Sequence, residues 1–341
     1  MELQTVTMPM KMGTPVALII FNRPDLTARV FAQIAKVKPA QLFIVADGPR
    51  RDHAEDREKC EAARAVLDRV DWDCQVIKNY SDVNLGCGHR PASGISWVFE
   101  HVERAIILED DVIPNVAFFR FCEELLERYQ DDKRVMQVCG HNYQLGQKRG
   151  PYSYYFSRRN ICGGGWASWR RAWNHFDFKI ALWPTMRETS FLLDILEDEE
   201  LSHKWRKLFD SVYAGKPSAP GASATDYWDY QWTFAVWSQS GLSICPNTAL
   251  VTNIGYREDG THTKTPNNPW ANIPSGNMEF PLQHPPYVVR NREADYFFIS
   301  LVRQARRSSR SSYALLARRF FQALTRIWEK IASVRWQARI G

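Results

Sequence analysis

Short apolar runs alternate with stretches of helical periodicity along the first third of the chain. The runs are continuous, which is typical of parallel strands covered on both faces. Between them, apolar residues recur every three or four positions, as on one face of a helix. The predicted strands are Val16–Phe21, Gln41–Ala46, Cys74–Ile77 and Ile106–Leu108, and the predicted helices cover residues 25–37, 54–69 and 91–103. This order predicts βαβ units and an α/β fold with a mostly parallel central sheet flanked by helices.

Polar residues follow three of these strands directly: Asn22-Arg23, Asp47 and Glu109–Asp111. The carboxyl ends of parallel strands meet at one edge of a sheet, where open α/β folds bind ligands. Adjacent carboxylates repel one another, and a divalent cation such as Mn²⁺ or Mg²⁺ is their natural counter-charge. We therefore predict that Asp111, helped by Asp110 or Glu109, holds a metal ion on a diphosphate. The structural alternative is that Asp111 or Asn115 caps a helix over residues 115–129.

The second half of the chain mixes further strands with aromatic and glycine-rich segments. Trp166, Trp169 and Trp173 fall at i, i+3 and i+7, which predicts one core-facing side of a helix. Residues 187–211 have a charged helical pattern, and a loop is predicted over residues 215–224, which are rich in Pro, Gly, Ser and Ala. Further strands are predicted at 135–139, 152–156, 241–246 and 249–251, a helix at 226–237, and an irregular covering segment at 264–290.

The net charge of +6 is concentrated at the C-terminus. Residues 301–341 hold ten Lys or Arg and a single acid, so this tail carries +9 and the rest of the chain −3. An acidic body argues against nucleic acid as a partner. Basic residues lie between apolar ones at helical spacing in the tail, which favours an amphipathic helix on an anionic membrane surface over a helix docked on the body.

The cysteines and the N-terminal sequence indicate the cellular compartment in which the protein is expected. Seven cysteines are scattered without a C-x-x-C pair, so neither a disulfide framework nor a zinc site is predicted, and a reducing compartment fits. Residues 1–14 lack the apolar run of a signal peptide and are expected to be extended or disordered. No apolar stretch reaches the roughly 20 residues of a membrane span. We expect a cytoplasmic protein, peripheral on the inner face of the cytoplasmic membrane.

Six short segments, taken in order, resemble the nucleotide-diphospho-sugar glycosyltransferases of the GT-A (Rossmann-like) fold. Within that group the chain is most similar to the inverting β-1,2-N-acetylglucosaminyltransferase I type, over about residues 15–263. The segments are Phe21-Asn22-Arg23, Asp47-Gly48, Asn84-Leu85-Gly86, Leu108-Glu109-Asp110-Asp111, Gly164-Gly165-Trp166 and Trp228-Asp229.

The resemblance implies a nucleotide site at the first two strand ends. Asn22 lies in the first segment beside Arg23, and Arg23 and Asp47 resemble the residues that hold the nucleotide. The Asp47 carboxylate would accept a hydrogen bond from the uracil N–H. His89 or Arg90 is implied beside the base or the diphosphate.

A donor-sugar and metal centre is implied by the later segments. Asp111 resembles the metal ligand, and Asp110 a contact to the ribose or the donor sugar. His262 is implied as a further diphosphate or metal contact. The Gly164-Gly165-Trp166 segment would let the backbone approach the donor closely, because glycine has no Cβ.

Asp229 resembles the general base that activates the acceptor hydroxyl. Asp226 is its rival, because residues three apart on a helix share one face. The structural alternative is an aromatic core cluster in which Asp229 occupies the first turn of a helix and is favoured there by the helix dipole.

These expectations combine into a metal-dependent inverting glycosyltransferase that moves a sugar from a nucleotide-diphospho-sugar, with UDP favoured, to a hydroxyl of a glycan or lipid-linked acceptor. A non-catalytic nucleotide-sugar-binding protein at the membrane and a sugar-phosphate nucleotidylyltransferase are the alternatives. The expected domains are the N-terminal segment 1–14, a glycosyltransferase domain 15–300 with a nucleotide-sugar half 15–140 and an acceptor half 141–300, and the basic tail 301–341.

Overall fold

The computed structural model describes residues 12–158, 164–216, 227–257 and 271–308, with side chains described as far as residue 301. The chain divides into two compact units, residues 1–292 and residues 293–341. The predicted basic helix of the tail lies outside the described residues from 309 onward. In the described part, no helix combines the length and apolarity that crossing a membrane requires.

Ten strands form two sheets in the described ranges. The strands are β1 (Val16–Ile20), β2 (Gln41–Ala46), β3 (Gln75–Tyr80), β4 (Arg104–Glu109), β5 (Val112–Pro114), β6 (Val135–Cys139), β7 (Tyr154–Ser157), β8 (Gly165–Trp169), β9 (Leu242–Pro246) and β10 (Val251–Asn253). The main sheet has the order β3-β2-β1-β4-β8-β6-β9-β7, and six of its eight strands run in one direction, with β8 and β7 antiparallel to their neighbours.

Helices cover both faces of this sheet. In the first unit they are α1 (Pro24–Val37), α2 (Asp56–Val66, continued by a 3-10 turn at Leu67–Arg69), α3 (Gly86–His101), α4 (Val116–Arg128), α5 (Arg170–Trp173), α6 (Trp183–Arg187), α7 (Phe191–Leu196), α8 (Glu199–Tyr213) and α9 (Asp229–Ser238). A further helix, α10 (Arg292–Ser308), lies almost entirely in the second unit. One core cluster contains residues of α1, α2 and α4, and the other contains residues of α3, α9 and the short helices α5 to α7. The predicted α/β class, with a mostly parallel central sheet flanked by helices, is confirmed.

The tryptophan stripe is a correction to the sequence analysis. Trp166 and Trp169 lie on strand β8, and only Trp173 lies in a helix, α5. On a strand, residues three apart face opposite sides, so Trp166 joins the core on the α3 side and Trp169 joins the core on the α4 side. The helical spacing of these residues arose because a strand and a helix follow one another without a loop.

A small second sheet was not predicted. Strand β5 leaves the main sheet directly after the acidic triplet and pairs antiparallel with β10, with Val112 opposite Asn253. This pairing brings residues 251–257 beside the end of β4, although about 140 residues of sequence separate them. The predicted helix at 187–211 is two helices, α7 and α8, which follow the end of α6 at Arg187. They are separated because Glu197 adopts a left-handed backbone conformation.

Candidate active site

Three carboxylates emerge from the carboxyl end of β4. Strand β4 is central, parallel to β1 and antiparallel to β8, and its residues 105–108 are fully buried. Glu109 is the last strand residue, and Asp110 and Asp111 form the turn to β5. The alternative helix-capping role falls to Asn115, whose side chain accepts a hydrogen bond from the Phe118 amide at 2.9 Å. Asp111 is therefore not needed as a cap.

Arg23 is the cation of this site. It follows β1, and its guanidinium forms an ion pair with Asp110 and a second one, at 3.0 Å, with Asp111 Oδ2. The Phe21 amide also donates to Asp110, at 3.3 Å. Arg23 and the acidic triplet were predicted to lie at one edge of the sheet. The two ion pairs connect Arg23 with Asp110 and Asp111 there.

Negative charge exceeds positive charge around the triplet. Burial raises the pKa of Glu109 to about 8, and the neighbouring Asp111 and Asp110 add to this shift. Burial and Asp111 also raise the pKa of Asp110, although Arg23 opposes the shift. A carboxyl that holds its proton near neutral pH marks a site that lacks a counter-charge. The hard carboxylate oxygens and the excess negative charge fit a divalent cation.

The protein alone does not complete a metal centre in the described residues. No group of three or more His, Cys, Asp or Glu side chains has the geometry to hold an ion there. Asp111 is the triplet member beside the β10 segment and remains partly exposed, with 15% of its side-chain surface accessible. A cation at Asp111 would therefore draw further oxygen ligands from a bound substrate or from water, which Mg²⁺ and Mn²⁺ commonly do.

Asp229 contributes a fourth negative charge to the same centre. It is the first residue of helix α9 and is partly exposed. Its charge is one of the influences that raise the pKa of Glu109, after burial, Asp111 and Asp110. The side chain predicted as general base and the acidic triplet therefore lie within electrostatic reach of each other. The rival, Asp226, lies outside the described residues.

Aromatic packing fixes the start of α9. Trp228 stacks on Trp166 with ring centroids 5.9 Å apart, and Trp232 packs on the same indole at 5.7 Å. The Trp232 indole N–H also donates to Gln137 on β6 at 2.7 Å. Trp166 itself is fully buried, so its ring supports the helix that carries Asp229 and is not exposed to a ligand.

The glycines before Trp166 make room for the acidic triplet. Gly164 has φ +80°, and a Cβ there would lie 2.5 Å from Val112 Cγ2 and 3.5 Å from the Glu109 carboxyl carbon. Its carbonyl accepts the Glu109 amide at 2.9 Å. A Cβ on Gly165 would lie 3.0 Å from side-chain carbons of Val112 and Val251. Both glycines therefore let β8 lie close to the end of β4.

The segment after β10, residues 254–256, lies beside Asp111, a contact that was not predicted from the sequence. The Ile254 amide donates to the Asp111 carbonyl at 2.8 Å, and a Cβ on Gly255 would lie 2.1 Å from Asp111 Oδ2. Tyr256 is half-buried nearby; burial raises the pKa of its phenol, and the Asp111 carboxylate adds to the shift. A glycine beside a strand residue was the only signal in the sequence, because the contact depends on the unpredicted pairing of β5 with β10.

Asp47 occupies a different environment at the end of β2. Its Oδ1 accepts the amides of Gly48 and Leu85 at 2.8 and 2.9 Å. Its Oδ2 accepts the Gly86 amide and the Asn84 side-chain amide, both at 3.0 Å. These four bonds use the acceptor positions of the carboxylate. A uracil N–H would have to displace one of these donors.

The other predicted nucleotide contacts are placed as follows. Arg90 is buried; its Nε donates to the Ala46 carbonyl at 3.1 Å and its Nη2 to the Asn79 side chain at 2.9 Å, so it joins the ends of β2 and β3. His89 is exposed and stacks on Phe178 with ring centroids 4.1 Å apart. His262 lies outside the described residues. The structure thus joins Arg23 to Asp110 and Asp111, and Asp229 lies within electrostatic reach of Glu109. Arg90 instead connects two strands of the sheet.

Comparison with known proteins gives structural neighbours only. Neither a protein-family model nor a curated protein sequence matches the chain. The solved structures that it is similar to include GalNAc-T7 with UDP, GalNAc and Mn²⁺, at 12% identity and a TM-score of 0.42, over 75% of this chain and 46% of that one. The chain thus spans about half the length of that neighbour.

Two further neighbours belong to two enzyme classes. A mannosyltransferase from Pyrobaculum calidifontis, in complex with GDP-Man and Mn²⁺, has 11% identity and a TM-score of 0.36, over 68% of this chain and 72% of that one. A UDP-glucose pyrophosphorylase complexed with UDP-glucose has 9% identity and a TM-score of 0.28, over 48% of this chain and 79% of that one. The likeness to the N-acetylglucosaminyltransferase I type stays a prediction.

Proposed function

We propose that this protein is a metal-dependent inverting glycosyltransferase that uses a nucleotide-diphospho-sugar donor. The observation that supports the proposal is the electrostatic influence of Asp229 on Glu109, a member of the acidic triplet, residues 109–111. Asp229 is a partly exposed carboxylate in the first turn of α9, and the triplet is an acidic centre at the end of β4 with Arg23 as its ion-pair partner. Glycosyl transfer needs these two parts: a place for a cation on the leaving diphosphate, and a base for the acceptor.

Asp111 is the residue that we assign to the metal ion. When bound, a divalent cation neutralises the charge that develops on the leaving diphosphate. Asp111 is accessible enough to bind such an ion, whereas Asp110 is buried in its ion pair with Arg23. Arg23 keeps both aspartates in position and offers a positive charge at the same edge. His262 remains a proposed additional contact.

Asp229 is the residue that we assign to the acceptor side. As a general base it would accept the proton of the acceptor hydroxyl while the hydroxyl oxygen attacks the anomeric carbon. A single displacement of this kind inverts the anomeric centre. The pair Trp166 and Trp228 holds the helix start rigid, and a rigid base is a better catalyst because it needs no reorganisation. Asp226 remains the rival for this role.

We propose a glycan or lipid-linked acceptor and a place at the inner face of the cytoplasmic membrane. Both rest on the basic pattern of residues 301–341, in which apolar and cationic positions alternate at helical spacing. An anionic lipid surface would attract such a tail and bring the enzyme to lipid-linked substrates.

A panel of nucleotide sugars tests the proposal. Melting temperature is measured with each donor, with and without Mn²⁺, and donors that stabilise the protein are then assayed for release of the nucleoside diphosphate. We expect stabilisation by at least one donor that requires the cation, followed by slow hydrolysis in the absence of acceptor. Release of pyrophosphate from a nucleoside triphosphate and a sugar phosphate would instead assign a nucleotidylyltransferase. Stabilisation with no turnover in the presence of candidate acceptors would assign a binding protein.

A further inference from the structure

An arginine near the acidic triplet is held in one orientation by a buried carboxylate. The Arg50 guanidinium makes a bidentate contact with Asp56, donating from Nε at 2.6 Å and from Nη2 at 3.0 Å. The Arg50 backbone amide donates to the same carboxylate at 3.2 Å. Asp56 is 2% exposed, whereas 44% of the Arg50 side chain remains accessible. Asp56 therefore fixes the orientation of the guanidinium, while part of the Arg50 side chain stays accessible to solvent.

Arg50 belongs to the same edge of the sheet as the acidic triplet. The Asn22 side chain donates to Asp56 at 2.7 Å and so joins the end of β1 to the start of α2. The guanidinium carbon of Arg50 lies 5.4 Å from the centroid of the Phe21 ring. The Phe21 amide donates to Asp110. A continuous set of contacts thus runs from the triplet to Arg50.

The chemistry of this arrangement suits a flat aromatic ligand. A guanidinium is planar and stacks on aromatic faces, and an orientation fixed in advance loses less entropy on binding. Phe21 already lies near the Arg50 guanidinium, while the exposed part of that group remains accessible. Asp47, the carboxylate that the family resemblance assigns to the base, has its acceptor positions filled by protein donors. Arg50, by contrast, is a nearby group that remains partly accessible.

We infer that Arg50 is a stacking platform for the nucleobase of the donor, with Asp56 as its positioning residue. The inference rests on the proposed function, because it names a donor contact in that same site. Stacking depends on the base having a flat face and does not read the groups at its edge. Arg50 therefore contributes affinity to purine and pyrimidine donors alike, and the choice between bases is made elsewhere.

Binding of UDP and of inorganic pyrophosphate, each with Mn²⁺, tests the inference by calorimetry. We expect Arg50→Ala to weaken UDP binding about 5- to 160-fold, since base stacking contributes about 1–3 kcal/mol, while pyrophosphate binding is unchanged. Arg50→Lys keeps the charge and loses the plane, so it should also weaken UDP and spare pyrophosphate. Asp56→Asn should raise the KM for the donor and leave kcat unchanged. Arg51→Ala, an exposed neighbour of equal charge, is the matched control and should bind both ligands normally.

Each alternative has its own result. Unchanged UDP binding by Arg50→Ala, in a protein whose wild type binds UDP, would overturn the platform and leave the proposed function standing. Equal losses of UDP and pyrophosphate would make Arg50 a phosphate contact and overturn the inference. Full UDP affinity in Arg50→Lys would also overturn it, because a point charge would then suffice. Absence of UDP and other nucleoside diphosphate binding by the wild type would remove the proposed function together with the platform.

Discussion

Two strand ends, one on each side of β1, carry carboxylates in different environments. Asp47, after β2, accepts four hydrogen bonds from the protein, two on each oxygen. The triplet after β4, together with Asp229, brings four carboxylates to one region around the single arginine described above, Arg23. Both sites lie at the carboxyl edge of one sheet, and both looked like ligand sites in the sequence.

The two sites differ in the partners that the protein supplies to the carboxylates. These are backbone and side-chain amides at Asp47, and the Arg23 guanidinium at Asp110 and Asp111. A carboxylate whose acceptor positions are filled is stable in the folded protein and ties loops together, as Asp47 ties residues 84–86 to the end of β2. The triplet carboxylates lie close together, and their mutual repulsion adds to the effect of burial in raising the pKa of Glu109 and Asp110, so a cation beside them is stabilised. Asp47 therefore contributes to the fold, and the triplet is the candidate for chemistry.

Asp229→Asn should have the largest effect on function. Since a positioned general base contributes about 10²–10⁴-fold to rate, kcat should fall by a factor in this range. Affinity for the nucleoside diphosphate with Mn²⁺ should stay within about twofold, which is less than 0.5 kcal/mol. Asp226→Asn is the matched comparison. Steady-state transfer at saturating donor measures the first quantity, and normal transfer by Asp229→Asn with slow transfer by Asp226→Asn would exchange their roles.

Asp47→Asn should mainly lower the stability of the folded protein. The new amide would face the Gly86 and Asn84 donors with N–H groups of its own, and two donors would lose their acceptor. Each such loss costs about 1–3 kcal/mol, so the free energy of unfolding should fall by about 2–6 kcal/mol. Urea unfolding measures the change, with the exposed Asp71→Asn as control. A stable Asp47→Asn protein that has lost nucleotide binding would instead support the predicted uracil contact.

Glu109→Gln should have a smaller effect that depends on pH. The folded-state pKa of Glu109 lies above its unfolded value of 4.5, at about 8. The folded protein therefore holds this proton more tightly, and stability from this group is present below pH 4.5 and is lost as pH rises to about 8. In the presence of a chelator, Glu109→Gln should melt higher than wild type at pH 8.5 and show little gain at pH 5.

The matched control for that melting series is Glu61→Gln, on the exposed face of α2. It should show no such dependence on pH. Mn²⁺ should narrow the difference between wild type and Glu109→Gln at pH 8.5, because the cation stabilises the ionised carboxyl. Equal melting temperatures of wild type and Glu109→Gln at every pH would show that the triplet carries no excess charge.

The sequence was enough to predict the parts of the site that depend on local pattern. Continuous apolar runs locate β1, β2 and β4, and the residues after them are the ones that meet at the edge of the sheet. The arrangement of Arg23 beside Asp110 and Asp111 follows from parallel pairing alone. Asn115 as a helix cap follows from its place before an amphipathic stretch.

The features that were not predicted from the sequence depend on contacts between segments far apart in the chain. Gly255 and Tyr256 reach Asp111 only because β10 pairs with β5, and two strands of three residues leave little signal in a sequence. The four donors to Asp47 come mostly from backbone amides, which no side-chain pattern reveals. Trp166 looked like part of a binding surface or a helix, yet its place in β8 buries it under α9.

Binding of Mn²⁺ and UDP to Asp111→Asn, beside wild type and Asp229→Asn, tests the central claim most directly. Electron paramagnetic resonance follows loss of the free Mn²⁺ signal as protein and UDP are added, and a chelator restores the signal. We predict that wild type and Asp229→Asn retain the ion on UDP, whereas Asp111→Asn loses at least about tenfold in affinity, or about 1.4 kcal/mol. Undiminished binding of the Mn²⁺–UDP pair by Asp111→Asn would contradict the account.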